Sequence, residues 1–241
     1  MRNDGRNNET IRNIKITADF LKNSGGSVFW EMGNTRIICA ATLIDGVPPF
    51  LRGTGKGWLT AEYAMLPAST ATRLPREISV GRINGRSQEI QRLIGRALRS
   101  VVDLDRYGER TIYIDCDVLQ ADGGTRSASI SGAFIALVLL FEKMIANMVI
   151  PSIPVSDYLA AISVGVVAGE VLLDLNYEED GRAEVDANFV MTGNGGIVEV
   201  QATAEGSPFS NVIFEEMLKR ARGGIEEIIA LQRSIVGNVL L

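Results

Sequence analysis

Asp115-Cys116-Asp117-Val118-Leu119-Gln120-Ala121-Asp122-Gly123-Gly124-Thr125-Arg126 is the stretch from which the rest of the chain is read. Apolar alternation from Thr111 to Leu119 predicts a strand that puts Asp115 and Asp117 on one face. The chain then turns at Asp122 to Arg126 and enters an apolar run that predicts a helix from about Ser127 to Met148. A tight glycine turn opening a helix aims unpaired backbone N–H groups and the positive end of the helix dipole at one point, which makes an anion site. Thr125 adds a hydroxyl, and Arg126 adds a planar fork suited to two phosphate oxygens. A plain turn with Ser127 as helix cap uses the same residues, so the turn alone leaves both readings open. It is not a Walker loop, because Gly-x-x-x-x-Gly-Lys-Ser/Thr occurs nowhere in the chain.

Upstream, Ser27 to Glu31 and Thr35 to Leu43 read as a hairpin closed through Met32-Gly33-Asn34. Asp45 to Arg86 lacks helical period and is expected to be a long loop with a short strand near Leu59 to Met65. Ser87 is positioned to cap a helix with apolar Ile90, Leu93, Ile94, Ala97, Leu98, Val101 and Val102, leaving Arg92, Arg96 and Arg99 on one exposed stripe. Downstream, strands are expected over Ala160 to Val167, Val171 to Tyr177 and Glu184 to Met191. Asn194-Gly195-Gly196 then turns into a strand from Ile197 to Ala204. A helix from Ser210 to Arg222, broken at Gly223-Gly224, and another from Ile225 to Val236 close the chain. The arrangement is α+β, with two halves fused into one globule.

At 241 residues and 46% hydrophobic, the chain has enough apolar surface for a substantial core. The longest apolar run, Ile130 to Phe141, is short of the roughly 20 residues of a bilayer span and reads as a buried core helix. A polar first hexapeptide with no apolar stretch behind it leads to the expectation of a cytoplasmic protein with no membrane partner. The two cysteines, Cys39 and Cys116, read as free buried thiols, and the absence of histidine excludes imidazole catalysis and the usual zinc sites. A net charge of −5 argues against general nucleic-acid affinity. Its distribution argues the other way: between Arg73 and Arg110 lie nine arginines against five acids, with no lysine from 57 to 142. Arginine binds phosphate in a bidentate geometry that lysine cannot, so the stretch fits phosphate groups, with a solvated charged face as the other reading.

A second constellation is acidic. Asp174, Glu178, Glu179, Asp180, Glu184 and Asp186 fall within thirteen residues. Alternation in Glu184 to Met191 separates Asp186 and Asn188 from the apolar face, and Asp180 sits at the turn leading in. Close carboxylates raise one another's pKa and hold a proton, or share a divalent cation, with Asp117 as a further ligand.

Together, Asp4-Gly5-Arg6, Gly57 to Pro67, Gly85 to Arg96, Asp115 to Arg126 and Val200-Gln201-Ala202-Thr203-Ala204-Glu205 resemble the bacterial ribonuclease PH family, in order and over nearly the whole chain. The resemblance implies a single ribonuclease PH domain over residues 1–241, built as two fused βαβ-type units with left-handed crossovers. It implies a phosphorolytic 3′ exoribonuclease acting on tRNA precursors, with inorganic phosphate as co-substrate and a homohexamer built as a trimer of dimers; for the leaving oxygen, a proton from an aspartate and a bound Mg²⁺ are both open. It assigns phosphate binding to Arg86, Gly124, Thr125 and Arg126, catalysis and any metal to Asp180 and Asp186, and tRNA grip to Arg73 and Arg76. Ala68 stands where the family usually has arginine, which implies a weaker grip on structured RNA. Which aspartate serves the leaving oxygen stays open. The rivals are a non-catalytic RNA-binding subunit of an exosome-like ring and a hydrolytic nuclease.

Overall fold

The computed structural model describes residues 2–81 and 84–238. Five strands form the first sheet: β1 (Ile14–Ala18), β2 (Gly26–Met32), β3 (Thr35–Asp45), β4 (Trp58–Met65) and β5 (Arg110–Gln120), in the order β1-β2-β3-β5-β4. All pairings are antiparallel except β4 with β5, which run parallel and are joined through helix α1 (Gly85–Arg99). Helix α2 (Thr125–Ala146) leads to the second sheet, β6 (Leu159–Val167), β7 (Glu170–Leu173), β8 (Val185–Thr192) and β9 (Ile197–Ala204), in the antiparallel order β7-β6-β8-β9. A one-turn helix, α3 (Tyr177–Asp180), links β7 to β8, and α4 (Asn211–Val236) covers β6 and β7. The α+β architecture is the expected one.

The core is organised by α2, which packs on β2 and β3 on one side and β6 on the other. Its near-continuous apolar sequence follows from burial on all sides: Phe134, Ile135, Leu137, Val138 and Phe141 are fully buried. Each such side chain contributes about 1.5–3 kcal/mol relative to exposure. At 22 residues α2 is long and apolar enough to cross a membrane, which corrects the length argument made from the shorter run, yet 83% of its most apolar window lies inside the protein. Cys39 and Cys116 are free, buried and paired across β3 and β5 with their sulfurs 3.8 Å apart beneath α2.

Several boundaries differ from expectation, each for a local reason. Helix α1 is capped by Asn84, whose side chain accepts from Ser87 N, so Ser87 lies inside the first turn. The segment 171–177 is not one strand: Asp174 takes φ 54°, which ends β7, and Asn176 starts α3 with a capping box closed by Glu179. Gly223 and Gly224 do not break α4; a Cβ at Gly224 would come within 3.0 Å of Leu173 and 3.2 Å of Ile162. Gly224 lets the helix approach the sheet closely. Arg99 leaves the predicted arginine stripe, stacking 4.6 Å above Trp58 and donating to Leu59 O.

Candidate active site

The glycine turn between β5 and α2 is held by its carbonyls. Arg12 Nη1 donates to Asp122 O, Thr35 Oγ1 donates to Gly123 O at 2.7 Å, and Asp122 N donates to Thr35 Oγ1 at 3.0 Å. Gly123 (φ 75°) and Gly124 (φ 65°) both adopt left-handed backbone, and a Cβ on Gly123 would lie 2.5 Å from Leu175 O. The first position therefore needs glycine twice over, for its dihedral and for its contact with the second half of the chain. With its carbonyls bonded inward, the turn presents the N-terminus of α2, capped by Gly124 without a side-chain hydrogen bond. Gly124, and not Ser127, is the cap, so the first-turn N–H groups are left for a ligand.

Thr125 and Arg126 occupy the first two positions of α2. Tyr63, buried in β4, donates to Thr125 Oγ1 at 2.9 Å, which leaves the threonine proton to point elsewhere. Burial is the main cause that raises the Tyr63 pKa, so it stays a donor. Arg126 Nη1 donates to Gln201 Oε1 at 2.6 Å and pairs with Glu89 Oε1 at 3.5 Å. Gln201 Nε2 in turn donates to Glu89 at 2.9 Å. Gln201 lies on β9 and Glu89 on α1, so three elements fix one guanidinium.

Asp180 ends α3 and is exposed, while Asp186 is the second residue of β8 and half-buried. Asp186 shares its sheet face with Asn188, whose Oδ1 accepts from Ser127 Oγ at 3.2 Å, so this face looks at the start of α2. Both carboxylates titrate above the ordinary aspartate range. For Asp180, loss of surrounding water leads and Glu205 adds, against the lowering influence of Arg86 and Arg126. For Asp186, burial leads, the Asp180 charge adds, Arg126 and Arg86 oppose, and Glu205 contributes. Arg86, exposed on the first turn of α1, thus acts on the same acids as Arg126. The structure brings together Arg86, Gly124, Thr125, Arg126, Asp180 and Asp186 from four elements.

Other candidates separate from this group. Asp117 lies on the face of the first sheet turned away from α2, near Glu62 and Asp115, so it cannot share a cation with Asp180 and Asp186. Asp174 and Glu179 are buried against arginines: Asp174 receives Arg12 Nη2 at 2.6 Å and Arg6 Nη1 at 3.1 Å, and Glu179 takes a bidentate Arg2 at 2.8 and 2.7 Å. Arg96 pairs with Glu199, and Arg110 with Asp45, so these arginines of the basic stretch serve structure. Arg73 and Arg76 stand exposed on the segment after β4. Among the described residues, no group of three or more His, Cys, Asp or Glu side chains is arranged to hold a metal ion. Glu89, Gln201, Tyr63 and Arg12 are site residues that sequence reading missed. Tyr63, Glu89 and Gln201 lay within the family-like blocks, which was the available signal.

A helix N-terminus and two arginines near two raised carboxylates make an arrangement suited to holding phosphate oxygens beside a proton donor. Models of the 3′ exoribonuclease family match residues 10–140 as domain 1 and residues 157–224 as domain 2, and the chain belongs to this family. Within it, the chain is similar to ribonuclease PH of Syntrophomonas wolfei, 55% identical over 236 residues, covering 98% of this chain and 99% of that one. Ribonuclease PH of Bacillus cereus is 54% identical over 241 residues, covering 100% and 98%. Among solved structures, Rrp46 of rice (Oryza sativa) superposes with a TM-score of 0.79 at 22% identity, covering 98% of this chain and all of that one. A chain of the Archaeoglobus fulgidus exosome with RNA bound to the active site gives 0.79 at 20% identity, over 95% and 92%. These two likenesses are likenesses of fold.

Proposed function

We propose that this phosphorolytic 3′ exoribonuclease, a nucleotidyltransferase in reverse, binds inorganic phosphate at Arg86, Gly124, Thr125 and Arg126 and cleaves the terminal phosphodiester beside Asp180 and Asp186. The observation that carries the reading is the meeting of the α2 N-terminus, two arginines and two carboxylates of raised pKa at one place. A phosphate dianion approaching an anionic phosphodiester is repelled until positive charge is fixed around it, and the arginines with the first-turn N–H groups supply that charge by positioning. Thr125, already accepting from Tyr63, donates its proton to a phosphate oxygen. As the bond to the penultimate nucleotide breaks, its 3′ oxygen needs a proton. A carboxyl held above its ordinary range by burial and a neighbouring acid is suited to give one.

Asp180 and Asp186, near enough for one charge to raise the other's pKa, also suit Mg²⁺, which takes one or two protein carboxylates and completes its shell from substrate and water. When bound, the ion would stabilise charge on the leaving oxygen. The substrate is the 3′ end of a tRNA precursor, gripped outside the site by Arg73 and Arg76, with less help than usual at Ala68. The working form is a homohexamer, a trimer of dimers, in the cytoplasm. Each protomer is a single domain, a reading supported by one continuous apolar cluster from Ile11 to Val236.

The test is to incubate the protein with RNA, with and without inorganic phosphate, and identify the products. Nucleoside diphosphates released only with phosphate are expected. Monophosphates or phosphate-independent decay would mean hydrolysis, and RNA binding without decay would mean a non-catalytic ring subunit.

A further inference from the structure

Beside the phosphate turn lies a groove that the proposed chemistry does not use. Its volume is about 440 Å³, within the range of small-ligand sites, and its walls are Tyr177, Leu74, Thr70, Thr72, Gln120 and the Asn34–Asp122 pair. Tyr177 is 65% exposed and Leu74 37%, so two large apolar surfaces face solvent in one recess.

The walls are fixed in place. Asp122, the residue before the glycine pair, accepts Tyr177 N through Oδ1 at 3.2 Å and Asn34 Nδ2 through Oδ2 at 3.1 Å. Both its oxygens are thereby engaged with protein. The opposite wall is tied to the end of β5 by Ala121 N donating to Ser69 O at 2.8 Å, and folded on itself by Leu74 N to Pro67 O at 2.8 Å and Thr70 Oγ1 to Thr72 O at 2.7 Å. Tyr177 and Asp180 stand three residues apart on the single turn of α3, which puts them on the same side of it. The groove therefore adjoins the phosphate turn through Ala121 and Asp122, with Asp180 three residues from its Tyr177 wall and exposed Arg73 in the segment that supplies Thr72 and Leu74.

We propose that this groove holds an unpaired nucleobase of the RNA strand, stacked on the Tyr177 ring, just upstream of the phosphodiester under attack. This rests on the phosphorolytic reading above for its direction. An aromatic face binds any base, because every base has a π-face, and hydroxyl and amide groups at the periphery meet base edges without demanding one pattern. An exonuclease that must remove successive different nucleotides needs that tolerance.

The experiment compares wild type with Tyr177→Leu, Tyr177→Phe and Tyr177→Trp on RNA carrying an unpaired 3′ tail. Base stacking on an aromatic contributes about 1–3 kcal/mol, so Tyr177→Leu should raise the RNA KM about 5- to 160-fold while kcat and the phosphate KM stay near wild type. Phe and Trp should restore the RNA KM. In a second arm without phosphate, tails with 2-aminopurine placed at successive positions from the 3′ end are bound: wild type and Tyr177→Phe should change its fluorescence at one position and Tyr177→Leu should not. An RNA KM unchanged in Tyr177→Leu, or fluorescence with no positional preference in wild type, overturns the proposal. Failure of wild type to release diphosphates would overturn phosphorolysis alone, since a Tyr177-dependent fluorescence position would still establish the groove.

Discussion

Adjacent residues of α3 belong to two different arginine–carboxylate clusters, and the contrast separates holding a structure from doing chemistry. Glu179 faces the N-terminal segment. Burial alone would push its pKa up, but hydrogen bonds from Arg2 and from Asn176 N outweigh that and hold it below the usual range. Asp180, one residue on, faces Arg86 and Arg126, yet its pKa is raised because lost hydration and Glu205 outweigh arginines that do not touch it. In the first cluster every carboxylate is saturated: Asp174 accepts from Arg12 through both oxygens, with a further bond from the Arg12 backbone at 2.7 Å. In the second, no described bond joins Asp180 or Asp186 to an arginine, and Arg86 is exposed. Arginines that touch a buried carboxylate act as its counter-ions, while Arg86, and Arg126 beyond its Nη1 contacts with Gln201 and Glu89, stay available for a third, anionic party.

The widest gap between the clusters should show in Asp180→Asn and Asp186→Asn. Losing a proton donor or charge partner at the reacting bond typically costs 10²–10⁴ in rate, and kcat for phosphorolysis should fall by about that much. Stability should not fall with it. An acid whose folded pKa is raised disfavours the folded state once ionised, so the neutral amide should leave the melting temperature equal or slightly higher at neutral pH. Full activity in both variants would remove the acids from the mechanism.

Asp174→Asn should do the reverse. It leaves Arg12 without its carboxylate in a site where the side chains of Asp174 and Arg12 are 1% and 5% exposed, and breaking a buried pair from one side costs about 3–5 kcal/mol. Denaturant unfolding should show that loss. Because Arg12 also grips the Asp122 and Gly123 carbonyls, the phosphate KM should rise in the protein that stays folded. A variant with wild-type stability would mean that the cluster is dispensable.

The two clusters were unequally visible in the sequence, for a physical reason. The turn at Gly123-Gly124 and the apolar period of α1 are local signals, read correctly because their partners lie within a few residues. The N-terminal clamp joins Arg2 to Glu179 across 177 residues and Arg12 to Asp174 across 162, and no periodicity reports such pairs. Asp174 and Glu179 consequently looked like members of the reactive acid group. One missed feature did carry a local signal: Asn176-Tyr177-Glu178-Glu179 is an N-cap followed three residues later by glutamate, the mark of a helix start. The apolar alternation before it favoured a strand, and Asp174, whose positive φ interrupts that strand, is bound by Arg12 from 162 residues away.

Gln201 and Glu89 sharpen the comparison because they are the protein contacts of Arg126. Gln201→Ala removes the 2.6 Å acceptor and leaves only the 3.5 Å pair with Glu89. A hydrogen bond to a charged group contributes about 1.5–3 kcal/mol, and part of it survives through Glu89, so the phosphate KM should rise about 5- to 10-fold with the RNA KM unchanged. Gln201→Glu keeps an acceptor but adds a negative charge, and should weaken phosphate binding at least as much. If both variants keep the wild-type phosphate KM, Arg126 is placed by its helix alone.

The smallest effect is the response to acid, where the clusters should move in opposite directions. Glu179 has its folded pKa below 4.5 and Asp4 below 3.8, so their stabilisation is complete above those values and is lost as pH falls through the folded ones. Asp180 and Asp186 have folded pKa values above 3.8, so their ionisation costs stability above the folded values, and that cost disappears as pH falls towards 3.8. Melting curves between pH 6 and pH 3 should therefore show Asp180→Asn/Asp186→Asn losing more stability on acidification than wild type, because the double variant lacks the compensating gain. Glu179→Gln should start lower and fall less, having already lost the acid-sensitive pair with Arg2. Parallel curves for all three proteins would mean that the clusters titrate alike and that the distinction between touching and separated arginines has no consequence in solution.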